Sequence, residues 1–349
     1  MTPLETLIRE LIVQEGPMRL DRYMELCLGH PQHGYYMAQQ PFGADGDFIT
    51  APEVSQFFGE LIGIWCIGAW QAMGSPNEFV LAELGPGRGT LMADVLRAAR
   101  VVPAFTQAAR VHLVETSPRL TAIQRNTLAG DVHWHARIEE LPQAPMILLA
   151  NEFFDALPIR QFERREGQWF ERTIGFENDA LSLGLVPSDA RFQGNDGDVI
   201  EASPARAEIA ALIGKRLKAN HGAALIIDYG HLRSAPGDTL QALRKHKFVP
   251  VTKSPGACDV TSHVDFSSLE KSFAQEGAQV FPPLTQRNFL LAMGLEQRMA
   301  ALSAKSLPAQ QSLLKRGASR LVDEDQMGNL FKVLAVVSPG LDVPYPFGG

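Results

Sequence analysis

Four short apolar runs constrain this chain most: "EFVLAEL" ending at Leu84, "VHLVET" at Thr116, "PMILLANEF" at Phe153 and "GAALIIDYG" at Gly230. They are continuous rather than alternating, the pattern of strands buried on both faces. Helical periodicity at Leu91–Arg100, Arg119–Ala129 and Pro204–Asn220 separates most of them. Strand–helix repetition of this kind predicts an α/β fold with a doubly wound, parallel sheet.

The flanking segments add to that sheet. Thr2-Pro3-Leu4-Glu5 has the form of a capping box with proline in the first turn, so a helix is expected there, followed by a second near Leu20 to Leu28. A loop rich in Gly, Pro and polar residues, "HPQHGYYMAQQPFGADGDF", comes next. Thr50-Ala51-Pro52-Glu53 repeats the capping-box form ahead of Val54, Phe57, Phe58, Leu61, Ile62 and Trp65. The stretch "IRQFERREGQWFERTIGFENDALSLGL" alternates apolar and polar residues and predicts an antiparallel β insertion over about 158–200. Met327–Val337 reads as the last strand. The expected division is an N-terminal helical, cofactor-covering segment over 1–75 and a main domain over 76–349. The loop over about 231–265 is assigned to substrate.

Composition excludes several classes. Hydrophobic residues make up 45% and charged residues 20%, as in ordinary globular proteins. A net charge of −7 argues against a broad nucleic-acid surface, so no nucleic-acid partner is expected. Cys27, Cys66 and Cys258 form no C-x-x-C pair, so neither a zinc site nor a disulfide framework is expected, and a reducing compartment is. The most apolar helical stretch, Val54 to Met73, is interrupted by Gln56, Glu60, three glycines and Gln71, so no membrane insertion is expected. The N-terminus "MTPLETLIRELIVQEG" lacks a basic region followed by an apolar one and carries acids, which gives a cytoplasmic protein as the expectation.

The chemistry concentrates after the first run. Gly85-Pro86-Gly87-Arg88-Gly89 joins a strand to a helix, the context in which a Gly-rich turn lets backbone approach a ligand. No Gly-Lys-Ser/Thr sequence is present, which excludes a Walker loop. The G-x-G-x-G spacing departs from the dinucleotide fingerprint, and Glu83 would sit poorly beside a pyrophosphate. An acid there suits a cation such as the α-ammonium of S-adenosylmethionine (SAM). Glu115 ends the next strand, where a carboxylate accepts hydrogen bonds from both ribose hydroxyls; that feature alone is shared by NAD and SAM sites.

Further blocks, "DGDFITAPEVSQFFGELIG", "NEFFDALPIRQF", "IIDYGH", "DVTSHVDFSSL" and "MGNLFKVLA", combine with "LAELGPGRGTLMADVLR". Together they resemble the MidA-type family of class I SAM-dependent methyltransferases, over nearly the whole chain. The resemblance implies a seven-stranded methyltransferase sheet with family-specific additions. It also implies symmetric dimethylation of arginine on a respiratory complex I core subunit, in support of complex I assembly. A homodimer is left open. The "KFVPVTKSPGAC" portion departs from the familiar pattern.

Ligands in open α/β sheets lie beyond the carboxyl ends of the strands, which places Asn151, Glu152 and Asp155 at the site. Asn151 is assigned to the cofactor. Glu152 and Asp155 are candidates for a bidentate guanidinium clamp that aims a nitrogen lone pair. Asp228, Tyr229 and His231 end another strand, and His231 is a candidate to accept a proton or hold a carboxylate. His263 is a candidate of the same kind. Gly46, Asp47 and Thr50 precede a helix whose N-terminus suits the SAM carboxylate, Thr50 being the cofactor residue assigned. His133 and His135 alternate on a strand; with no third ligand evident, sheet packing is expected there and no metal. Rival readings are a SAM-binding assembly scaffold with little turnover, a small-molecule methyltransferase and an NAD enzyme.

Overall fold

The computed structural model describes residues 1–38, 50–304, 306–342 and 345–348. The chain forms two compact units: Met1–Phe48, Asp155–Glu208 and Arg233–His263 make one, and Ile49–Phe154, Ile209–Leu232 and Val264–Gly349 the other. The first unit therefore gathers three segments that are distant in sequence, and the helix after Thr50 belongs with the second.

In the first unit, Thr2 caps the helix Pro3–Glu15 by accepting from the Glu5 N–H at 3.1 Å. Leu4, Ile8 and Ile12 line its buried face, as the periodicity requires. They pack with Tyr23, Met24 and Cys27 of the helix Leu20–Gly29 and with Ile159 and Ile174 of the insertion. The insertion is an antiparallel sheet built from Arg160–Arg165, Gln168–Glu177, Ala180–Pro187 and Val199–Ala202, extended by Met18–Arg19. A three-stranded sheet joins Gln241–Arg244, Lys247–Val249 and Asp259–Thr261.

In the second unit, the central sheet runs along a path of seven strands, with two short strands paired off it. Phe79–Leu84 lies between Ala109–Val114 and Met146–Asn151, parallel to both. Gly222–His231 pairs parallel to Met146–Asn151 and antiparallel to Phe331–Val337. The three central strands are buried along nearly their whole length, which is why their sequences are unbroken apolar runs.

Two local expectations are corrected. The helix predicted from Thr50 is broken at Ser55, whose φ of −163° and ψ of 136° are extended. Ala51–Val54 is a single turn, and Ser55 caps a separate helix, Gln56–Ala72. Thr50 makes no side-chain cap bond. The last strand starts at Phe331, because Met327–Leu330 is a helical turn in which a Cβ on Gly328 would stand 2.2 Å from the Val322 carbonyl.

The glycines that interrupt the apolar helix Gln56–Ala72 have a packing role. A Cβ on Gly59 would stand 2.4 Å from the Cβ of Asp94, and one on Gly63 3.0 Å from that of Ala98. Bare backbone at both positions lets this helix lie close against Thr90–Ala99. Phe57, Phe58, Leu61, Ile62 and Trp65 share the core with Leu81, Leu149 and Leu225 of the sheet. Among the described residues no helix is long and apolar enough to cross a membrane.

Candidate active site

The strand Phe79–Leu84 ends in a turn that only glycine accommodates readily. Gly85, Gly87 and Gly89 have φ of +60°, +53° and +80°. The Gly85 N–H donates to the Val114 carbonyl at 3.1 Å and ties the turn to the neighbouring strand. A Cβ on Gly85 would approach the Phe153 ring to 3.0 Å. Gly89 caps the helix Thr90–Ala99.

Two acids flank this turn, in different electrostatic states. Glu83 is buried, 3% exposed. Desolvation pushes its carboxyl up to about 8, opposed by the Met92 backbone N–H and reinforced by the charge of Glu115. Its Oε2 has no donor among the described residues. Glu115 is also pushed up by burial, but its charge is supported: Oε1 accepts from the Ser117 N–H at 2.8 Å and Oε2 from Gln124 Nε2 at 3.1 Å.

Gln124 is a site residue that the sequence reading missed. It is fully buried on the helix Pro118–Thr127. Its Nε2 donates both to Glu115 and to the Gly87 carbonyl, the latter at 2.8 Å, while its Oε1 accepts from Trp134 Nε1 at 2.9 Å. One amide thus locks the glycine turn to the second acid. The signal available was a glutamine four residues after Leu120, on the apolar face of an otherwise polar helix.

At the end of Met146–Asn151, Asn151 Nδ2 donates to Glu152 Oε1 at 3.2 Å, and Asn151 Oδ1 is buried with no donor among the described residues. Glu152 has φ +50°, a left-handed conformation that is costly for a residue with a Cβ. Its Oε1 also accepts from the Ala51 N–H at 3.2 Å. The anion at the start of Ala51–Val54 is therefore the Glu152 carboxylate, in place of a Thr50 side-chain cap. Gly46 and Asp47 lie outside the described residues.

The other candidates divide. Asp228 is fully buried and accepts from the backbone N–H groups of Phe154 and Tyr229 at 3.0 and 2.9 Å, which shapes the strand end. His231 Nε2 stands 4.0 Å from Asp265 Oδ2, and Asp265 caps the helix Phe266–Gln275. Asp155 falls in the first unit, where its carbonyl accepts from the Ser262 N–H and from Arg206. His263 is held there through its backbone, donating to Thr239 Oγ1 and accepting from Arg206. His133 and His135 do have a third histidine beside them, His112, whose ring is stacked on both at 4.9 and 5.1 Å. His112 Nδ1 lies 2.8 Å from His135 Nε2, and burial pushes His112 down to about 4. This is a packed stack, and among the described residues no group of His, Cys, Asp or Glu is placed to hold a metal.

Two buried acceptors without donors, Glu83 Oε2 and Asn151 Oδ1, together with a carboxylate preset at Glu115, ask for a ligand rich in donors and positive charge. SAM has that chemistry, and a pyrophosphate has the opposite. Bound there, SAM supplies a sulfonium-activated methyl group. The protein's contribution is a fixed backbone turn, a buried acid and two strand ends that position the partners.

The comparisons agree with this geometry. Residues 61–284 match the profile of a family described as "putative S-adenosyl-L-methionine-dependent methyltransferase". The chain is 37% identical to a Drosophila melanogaster protein named protein arginine methyltransferase NDUFAF7 homolog, mitochondrial, across 96% of this chain and 84% of that one. It is 34% identical to the Homo sapiens protein arginine methyltransferase NDUFAF7, mitochondrial, with the same coverage. A superfamily member from Burkholderia thailandensis, solved with S-adenosylhomocysteine bound, superposes with a TM-score of 0.84 at 27% identity, covering 97% of this chain and 92% of that one. The expected cytoplasmic location is corrected by the relatives' names, which point to mitochondria. Unpaired cysteines report a reducing setting and do not identify the compartment. A profile match over residues 61–284, with relatives similar across almost the full length, settles the family: the chain belongs to the S-adenosyl-L-methionine-dependent methyltransferases of this profile.

Proposed function

We propose that the enzyme methylates arginine side chains in a protein substrate, forming symmetric dimethylarginine on a core subunit of respiratory complex I. The observation that carries the acceptor chemistry is Glu152. A strained left-handed residue at the end of a central strand holds a carboxylate next to Asn151. A guanidinium fits such an acid, which fixes the orientation of the reacting nitrogen and favours charge on the nitrogens that stay behind. The names of the relatives support arginine in a protein as the acceptor.

In this reading Glu83 pairs with the ammonium of SAM and Glu115 with its ribose hydroxyls. Asn151 and Thr50 complete the cofactor contacts, Asp155 is kept as a candidate second acid from the sequence, and His231 takes the proton released after transfer. In-line displacement needs alignment more than a strong base, so the clamp matters more than His231. The test is incubation with labelled SAM and separate complex I core subunits, followed by mapping of modified arginines. Label on arginine of one subunit, lost in Glu152→Gln, is the expected result. Label confined to small molecules, or none while SAM still binds, would overturn it in favour of a small-molecule enzyme or a scaffold.

A further inference from the structure

The hairpin joining Gln241–Arg244 to Lys247–Val249 contradicts its own local chemistry. Its two turn residues, Lys245 and His246, have φ of +50° and +59°. Such a turn favours Asn-Gly or Asp-Gly. Of the other two-residue hairpin turns of the same unit, Asn178-Asp179 uses residues suited to this conformation, and Glu166-Gly167 has glycine at its second position. Directly behind the turn, Arg244 is paired across the strands with Lys247, a like-charge pair that weakens a hairpin. Neither forms an ion pair among the described residues; Arg244 donates only to Ser254 Oγ, at 3.3 Å. Beside them Phe248 is 74% exposed, opposite Leu243. Residues 244–248 are all exposed.

A like-charge pair and a bared aromatic ring stand within five residues, beside a left-handed lysine. Local strain kept in this way points to a role at the surface. The concentrated positive charge also stands against a chain of net charge −7.

We propose that this tip docks the enzyme onto an anionic lipid surface, with Phe248 as the apolar anchor in the headgroup layer and Arg244, Lys245 and Lys247 as the cations. The turn is only two residues long and residues 244–248 are all exposed, so the tip suits an extended interface that meets it end-on. A long polyanion such as RNA would also meet the acidic body of the protein. Aromatic rings prefer the headgroup level, and basic residues near an anionic bilayer each strengthen attachment. This is adsorption through a hairpin, distinct from insertion of a spanning helix.

The experiment is co-sedimentation of the full chain with vesicles of phosphatidylcholine alone or with about one-third phosphatidylglycerol. The wild type is expected to pellet with the anionic vesicles only, and less at high salt. Lys247→Gln should weaken partitioning about fivefold, the effect of one basic residue near an anionic membrane. Lys245→Glu with Lys247→Glu should abolish it, and Phe248→Ser should weaken it without removing the salt dependence. SAM binding by each variant verifies folding, since none of these residues lies in the cofactor site. Failure of the wild type to pellet, or equal pelleting of the charge-reversed protein, would overturn the proposal. So would binding that an oligonucleotide or polyglutamate removes while Phe248→Ser binds vesicles like the wild type, because that pattern marks a general polyanion site.

Discussion

Replacing Gln124 with glutamate changes one hydrogen-bond donor and little else in size. The new carboxylate still accepts from Trp134 Nε1, which Gln124 Oε1 now does at 2.9 Å. On the other side the donor that reaches Gly87 O at 2.8 Å and Glu115 Oε2 at 3.1 Å becomes a second acceptor. Two carboxylates at that separation repel by about 5 kcal/mol at an effective dielectric of about 20. They escape by sharing one proton, so the pair's affinity for that proton rises. A hydrogen bond to a charged group is worth about 1.5–3 kcal/mol, so S-adenosylhomocysteine should bind about 10- to 100-fold more weakly at about pH 8. As pH falls the shared proton restores a donor between the two acids, and the gap to wild type should narrow. Gln124→Ala removes the same donor without adding a second acid and should show a loss that varies less with pH. Titration calorimetry across this range, read as the ratio of variant to wild-type Kd, cancels the titration of Glu83, which both proteins contain. Thermal melts check that each variant is folded. Wild-type affinity for Gln124→Glu at about pH 8, or a ratio flat with pH, would refute the bridging role.

Three other outcomes follow from the same geometry. Burial raises the Glu83 carboxyl in the folded protein from its ordinary 4.5 to about 8, so the folded protein keeps a proton that the unfolded chain releases; stability is therefore lost as pH rises from 4.5 through about 8, and Glu83→Gln should flatten that slope in thermal melts. A bound cation favours ionised Glu83, so SAM affinity should rise with pH by up to about tenfold per unit and level off above about 8, with proton release measurable by calorimetry in different buffers; a flat profile would remove Glu83 from the cofactor site. Gly87→Val forces a β-branched residue to φ +53°, a cost of about 1–2 kcal/mol, and should abolish SAM binding in a protein that still melts cooperatively, as Glu115→Ala should by loss of the preset carboxylate; undiminished binding in both would sink the assignment. Glu152→Gln keeps the size of the side chain but removes its charge, and should lower kcat with little change in SAM Kd.

Much of the sheet was legible because its strands are buried on both faces and need no partner to declare themselves. The strands Phe79–Leu84, Met146–Asn151 and Gly222–His231 are continuous apolar runs for that reason. The assembly of the units was hidden, because the first unit joins segments separated by more than a hundred residues and periodicity carries no information on long-range pairing. Gly59 and Gly63 looked like interruptions of an apolar helix and are the points where it touches its neighbour. Thr50 had the form of a cap, yet the acceptor for the Ala51 N–H is a carboxylate 101 residues further on. Local form predicted that an acceptor was needed there, and the fold decided which side chain supplies it.

The same distinction separates the two acids of the cofactor site. Glu83 and Glu115 stand at equivalent strand ends in sequence, and spacing alone could assign them only to a ligand. Burial raises the pKa of both, but Glu83 has the Met92 backbone N–H alone and none on Oε2, whereas Glu115 has a donor on each oxygen, from Ser117 and Gln124. A carboxyl oriented by donors on both oxygens suits neutral hydroxyls, which bring weak donors and no compensating charge. Glu83, without a donor to its Oε2, is ionised at least cost by a ligand that carries its own positive charge. That contrast supports the proposal that Glu115 takes the ribose end and Glu83 the ammonium end of one cofactor. What differentiates them is Gln124, a residue with no charge of its own.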